Sequence, residues 1–126
     1  MMTTQEVADE FVALCKDGKW EECIKKFYSP EIKSVEPEGA FWGTVQGLEA
    51  IAKKAEEWHG MVAEFHTMEI SDPIVAENFF SMTMKSKVTL KDMNEPINMD
   101  EICVYEVNDG KVVKEQFFYT PMPEFA

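Results

Sequence analysis

The sequence reads as one α+β domain, helices first and sheet afterwards. Apolar residues recur at helical spacing up to about residue 58 and alternate with polar ones beyond residue 62, and no repeat, low-complexity tract or long linker divides the chain. With 126 residues and 45% hydrophobic content, such a chain buries roughly two-thirds of its unfolded surface, so a single domain over residues 1–126 is expected.

Thr3-Thr4-Gln5-Glu6 has the spacing of a capping box, in which hydroxyl and carboxylate each accept from a free backbone N–H at the helix start. Val7, Phe11, Leu14 and Cys15 follow on one helical face until Gly18 stops the run. A second, short helix starts near Lys19, with Trp20, Cys23, Ile24 and Phe27 as its buried stripe. Ser29-Pro30 ends it, because the residue before a proline avoids the helical region, and Ile32 to Val35 follows as a brief strand closed by Glu36-Pro37. Gly39 to Gly47 is a loop whose glycines permit sharp turns while Phe41 and Trp42 cover apolar surface. A third helix runs from about Leu48 to Trp58. Val62 to Ile70, Ile74 to Leu90 and Ile97 to Val107 read as strands, separated by Ser71-Asp72-Pro73 and by Asp92-Met93-Asn94-Glu95-Pro96. The stretch from Val75 to Leu90 is long for a strand, so it is expected to bend around the helices with Phe80, Met82 and Met84 turned inward.

The last hairpin carries most of the chemistry. Asn108-Asp109-Gly110 suits a three-residue loop closed by Gly110 in the left-handed conformation, so that Val107 pairs with Lys111. Counting outward, Tyr105 meets Val113, Cys103 meets Glu115, Glu101 meets Phe117 and Met99 meets Tyr119. One face then holds two carboxylates and two phenols among apolar groups. The other face holds Ile102, Val104, Glu106, Val112, Lys114, Gln116 and Phe118. A two-residue Asp109-Gly110 turn shifts the pairing by one and sends Glu115 to that other face.

Charge and composition exclude several functions. A formal charge of -12 repels a phosphate backbone, so neither nucleic acid nor an anionic membrane surface is an expected partner. No apolar h-region follows Met1-Met2 and no run approaches the roughly 18 apolar residues of a membrane span. Cys15, Cys23 and Cys103 are an odd number among apolar neighbours, which fits packing thiols in a reducing cytoplasm. His59 and His66 lack metal-ligand spacing, and the glycines match no phosphate or dinucleotide loop, so no metal and no cofactor is expected. No serine or cysteine has the partners of a nucleophile triad.

Gly18, Phe27, Glu36-Pro37, Gly47-Leu48-Glu49-Ala50-Ile51 and Asn108-Asp109-Gly110-Lys111-Val112-Val113, in that order after three helices and a curled sheet, resemble the SnoaL-like branch of the nuclear transport factor 2-like superfamily over nearly the whole chain. The resemblance implies a cystatin-like cone, with three N-terminal helices packed in the concave face of a strongly curved antiparallel or mixed sheet. It leaves activity open, because the superfamily includes ketosteroid isomerases, polyketide cyclases, dehydratases, epoxide hydrolases and proteins that catalyse nothing. Against the isomerase pattern, Glu36 before Pro37 takes the place of the general base. Phe11 and Cys103 stand where that pattern has a tyrosine and a protonated aspartic acid, and neither supplies an oxyanion hole, so steroid isomerisation is not expected. Resemblance to the polyketide cyclases places Glu101 and Glu115 on strands that point into the cone.

The resulting expectation is a small apolar ligand in a closed cavity, with cofactor-free acid-base chemistry of isomerase, cyclase or hydratase type. Glu36, Glu101 and Glu115 are the acid-base candidates, since burial and mutual repulsion move carboxyl groups toward neutrality. Tyr105 and Tyr119 are candidate hydrogen-bond donors, and Phe27, Trp42, Met82, Met84, Cys103 and Phe117 candidate lining. The bland alternative pairs Glu101, Glu115 or both with Lys85, Lys87 or Lys114, or leaves them at a wet rim. The competing class is a non-catalytic binding or interaction module, in which Ile102, Val104, Val112 and Phe118 form a homodimer surface. A homodimer is compatible with both.

Overall fold

The computed structural model describes residues 1–121. Helix α1 spans Thr4–Lys16, and its capping box forms as the spacing predicts, with Thr3 accepting from the Glu6 N–H and Glu6 from the Thr3 N–H. Helix α2 covers Trp20–Phe27 and runs directly into strand β1, Tyr28–Val35. The strand therefore begins four residues before the expected Ile32. Pro30 is tolerated because the β1 ladder is irregular between Tyr28 and Lys33, where no proline N–H is needed. The glycine loop contains a short strand β2, Val45–Gln46, and helix α3 extends to Met61.

Strand β3 is Val62–Ile70. The long stretch expected from Ile74 to Leu90 divides into β4, Ile74–Ala76, and β5, Phe79–Leu90, around a turn at which Glu77 adopts a left-handed φ of 54°. Ladder irregularities fall in β3, which gains a residue against β5 at two places, between Val62 and Glu64 and between Phe65 and Thr67. Bulges of this kind increase local twist. Strands β6, Ile97–Asn108, and β7, Lys111–Phe118, complete a seven-stranded sheet of order β2-β1-β7-β6-β5-β3, with β4 on β5. Only β1 and β7 among these pairs run parallel. Among the described residues no helix is long and apolar enough to cross a membrane.

The final hairpin departs from the expected register twice. The turn has two residues, Asp109 (φ 52°) and Gly110 (φ 75°), so Asn108 pairs with Lys111 and Val107 with Val112. A bulge at Val113 then adds one residue to β7, and Glu106 pairs with Lys114. Each departure reverses the faces and the two together restore them. Glu115 lies opposite Tyr105 rather than Cys103, and Phe117 opposite Cys103 rather than Glu101, yet both stay inward. Val112 precedes the bulge and is fully buried, so it does not belong to the outer face expected for it.

The core lies between the helices and the inner face of the sheet. Phe11 of α1 is at its centre, edge-on to Phe80 at 5.2 Å between centroids and tilted against Tyr105 at 4.6 Å. Such pairs add roughly 0.5–1.5 kcal/mol each beyond the area they bury.

Candidate functional site

Alternation along β6 turns Glu101, Cys103 and Tyr105 toward the helices, and the Val113 bulge brings Glu115 and Phe117 to the same face. Ser34, fully buried, stands beside Glu115 in the parallel β1–β7 ladder. From these positions a continuous chain of hydrogen bonds crosses the interior. The Tyr28 hydroxyl donates to one oxygen of Glu115, and the Ser34 hydroxyl donates to the other at 2.7 Å. Lys54 of α3 donates to Ser34 Oγ at 3.0 Å and to Glu36, and the Tyr119 hydroxyl donates to the second oxygen of Glu36 at 2.5 Å.

Electrostatics follow from burial. Lys54 and Glu36 form an ion pair whose side chains are 15% and 6% exposed, and Lys54 lies 5.0 Å from the centroid of the Phe117 ring. One cation thus serves an interior into which three carboxylates project. Burial raises Glu101 to about 7, with repulsion from Glu36 adding to it, while the Cys103 thiol, donating at 3.6 Å, and Lys54 pull the other way. Glu115 is also raised by burial, against the stabilising donors Tyr28 and Ser34. Tyr28, Tyr105 and Tyr119 are pushed above the ordinary phenol range, chiefly by burial, and remain protonated at neutral pH.

A recess of about 240 Å³ adjoins this chain. Its walls are Ala40, Phe41 and Trp42 of the glycine loop, Trp58 and Met61 of α3, residues 98–101 of β6 and residues 119–121. The recess lies where β6 overhangs β7. Pairing between them ends at Ile102 and Phe118, while β6 continues back to Ile97 on β5. The Trp42 and Trp58 rings stand 80° apart at 6.3 Å, and Phe41 meets Trp42 at 83° and 5.0 Å. The Trp42 indole N–H is buried with no hydrogen-bond partner.

Of the residues singled out in the sequence, Glu101, Tyr119 and Trp42 line the recess, and Glu36 joins it through Tyr119. Glu115 lies at the inner end of the hydrogen-bond chain. Phe27, Met82, Cys103 and Tyr105 are members of the packed core, with Met84 and Phe117 against it. Glu115 accepts from Tyr28 and Ser34 and Glu101 from the Cys103 thiol, where the alternative paired them with Lys85, Lys87 or Lys114, and Glu36 pairs with Lys54. Tyr28, Ser34 and Lys54 lay outside the sequence-derived set. Ser34 did carry a signal, alternating with Ile32 on the buried face of β1, as did Lys54, which lies one turn from both Ile51 and Trp58. No cluster of three or more His, Cys, Asp or Glu among the described residues is arranged to hold a metal ion.

The sequence profile of the family described as SnoaL-like domain matches residues 2–119. The chain belongs to this SnoaL-like family. A Mesorhizobium loti protein named for SnoaL-like polyketide cyclases is similar to this SnoaL-like chain at 31% identity and a TM-score of 0.88, over 94% of this chain and all of that one. An NTF2-like protein of Burkholderia thailandensis superimposes with a TM-score of 0.79 at 16% identity, covering 94% of this chain and 91% of its own. A protein of Catenulispora acidiphila with a ketosteroid isomerase-like fold, solved in complex with trimethylamine, gives 0.71 at 16% identity over 94% and 88%. These last two likenesses show the fold alone. Comparison with curated proteins gives no match.

Proposed function

We propose that this SnoaL-like protein binds a small, mainly apolar organic molecule in the recess and moves a proton on it without a cofactor, as an isomerase, cyclase or hydratase does. The observation that carries this reading is a carboxyl group, Glu101, on the wall of an aromatic recess and raised to about 7, where it both gives and takes a proton at neutral pH. In an isomerisation, ionised Glu101 takes a proton from a carbon beside a carbonyl and returns it to another position of the same molecule. Tyr119 has committed its proton to Glu36 and so turns an acceptor oxygen toward a ligand hydroxyl. Glu36, Lys54, Ser34 and Glu115 hold that arrangement from behind. The name of the Mesorhizobium relative and the trimethylamine complex of the Catenulispora protein support a recess that takes small organic molecules.

The test is a panel of one- and two-ring ketones incubated with the protein in heavy water, followed by proton NMR for deuterium entering beside the carbonyl. Exchange catalysed by the natural chain and lost in Glu101→Gln supports the reading. Exchange that survives the substitution removes Glu101 as the proton carrier, and exchange with no panel member removes proton transfer beside a carbonyl as the reaction.

A second reading, a homodimeric interaction module, is favoured by the outer sheet face, where Ile102 and Phe118 are 49% and 48% exposed. Sedimentation showing a dimer that Ile102→Asp dissociates supports it, and it is compatible with a filled or an empty recess. Three buried free thiols support a reducing, cytoplasmic setting.

A further inference from the structure

We infer that the recess is a site for a small organic cation, an alkylammonium group whose methyl shell meets the indole walls while its charge faces the acidic rim. This rests on the reading of the recess as a ligand site and narrows the ligand to one charge class. Trp42 and Trp58 both line the recess with ring planes 80° apart, so a group held against the pair meets indole surfaces of two orientations, and Tyr119 contributes a further ring. Each ring face is electron-rich and attracts a cation more strongly when water is excluded. The charged residues that line the recess have one sign, Glu101 on the inner face of β6 and its exposed neighbour Asp100, with no Lys, Arg or His among the described lining residues; Asn98, Thr120 and the unpartnered Trp42 N–H complete the polar wall. Lys54, which reaches the Tyr119 end of the site through Glu36, is engaged by Glu36, Ser34 and Phe117. Because Tyr119 donates to Glu36, its oxygen offers the recess lone pairs instead of a proton.

Size and long-range charge agree with this. A cavity of roughly 150 Å³ holds benzene, so about 240 Å³ accommodates a trimethylammonium head with a short polar tail. The net charge of -12 draws cations toward the surface and repels anions. An anionic ligand, by contrast, would bring its charge against Glu101 with no Lys, Arg or His in the described wall. If the rings were only an apolar surface, a neutral molecule of the same shape would be preferred, since it pays no desolvation of charge.

That contrast sets the test. Choline and its uncharged isostere 3,3-dimethylbutan-1-ol are titrated into the full chain at pH 8, followed by calorimetry and by the indole N–H signals of Trp42 and Trp58. Choline should bind at least about tenfold tighter, with both indole signals shifting. Trp42→Leu should abolish the preference and Trp42→Phe, which keeps a π face, should retain most of it, with thermal unfolding checking that each variant is folded. Equal or tighter binding of the isostere overturns the inference and leaves the recess standing as a ligand site. Binding of neither at millimolar concentration also overturns it, and the neutral ketone panel tests the proton-transfer reading separately.

Discussion

Replacing Glu101 by Gln keeps the size of the side chain and removes its charge, which makes the cost of holding this acid in the wall measurable without any substrate. Glu101 titrates near 7 in the folded chain against an ordinary value of 4.5. Below about pH 4 the group is protonated in both states and contributes no pH slope. Between 4.5 and 7 the unfolded chain releases its proton while the folded chain keeps it, so stability falls as pH rises. Above 7 the loss is complete and constant. At roughly 1.4 kcal/mol per tenfold change in proton activity, the accumulated cost is about 3 kcal/mol. The Gln variant should therefore be more stable than the natural chain by about 3 kcal/mol at pH 8 and nearly equal to it at pH 4.5. Urea unfolding of both proteins at half-unit intervals from pH 4.5 to 8 measures the difference. A gap that stays the same across that range would refute the reasoning, because it would mean that Glu101 titrates alike folded and unfolded, and the proposed proton carrier would then be an ordinary solvated acid.

Two further predictions follow from the interior. Lys54→Met leaves the Glu36 carboxylate, 6% exposed, without its counter-charge and should cost about 3–5 kcal/mol by urea unfolding at neutral pH; adding Glu36→Gln should recover most of that loss, and a double variant no better than the single one would show the pair to be uncoupled. Deleting Val113 removes the bulge but, with the turn unchanged, leaves Lys114 after Val112 and opposite Glu106, so Glu115 and Phe117 stay inward; the variant should fold with a loss below about 3 kcal/mol by urea unfolding, and a deletion variant that does not fold would show that the facing of Glu115 needs the bulge itself.

Much of this architecture was legible because local rules acted alone. The capping box at Thr3 and Glu6 needs only four residues to agree, and it formed where expected. The split at Glu77 was not legible, because a glutamate at positive φ carries no turn signal of the kind Asn or Gly gives. In the last hairpin the sequence suggested a three-residue loop, and the two-residue turn together with the Val113 bulge gives the same facing by another route. The interior chain was legible in part. Glu36, Glu101, Glu115 and Tyr119 stand out as polar groups near apolar runs, whereas Lys54 looks like one of many helix lysines until α3 is packed over β1. Which apolar side chains bound a space and which fill it was not legible either, since Met82 and Tyr105 in the core alternate just as a cavity wall would.

The Val113 bulge also bears on how this loop tolerates change. A one-residue insertion at the Asp109-Gly110 tip alters the phase of β7 by one, and flattening the bulge alters it back, so the pair works as a sliding joint whose total is fixed while its parts are free. Loop length there can drift during descent, or be varied by an engineer, without rotating Glu115 away from Ser34, provided the slack at residue 113 is taken up in the same step.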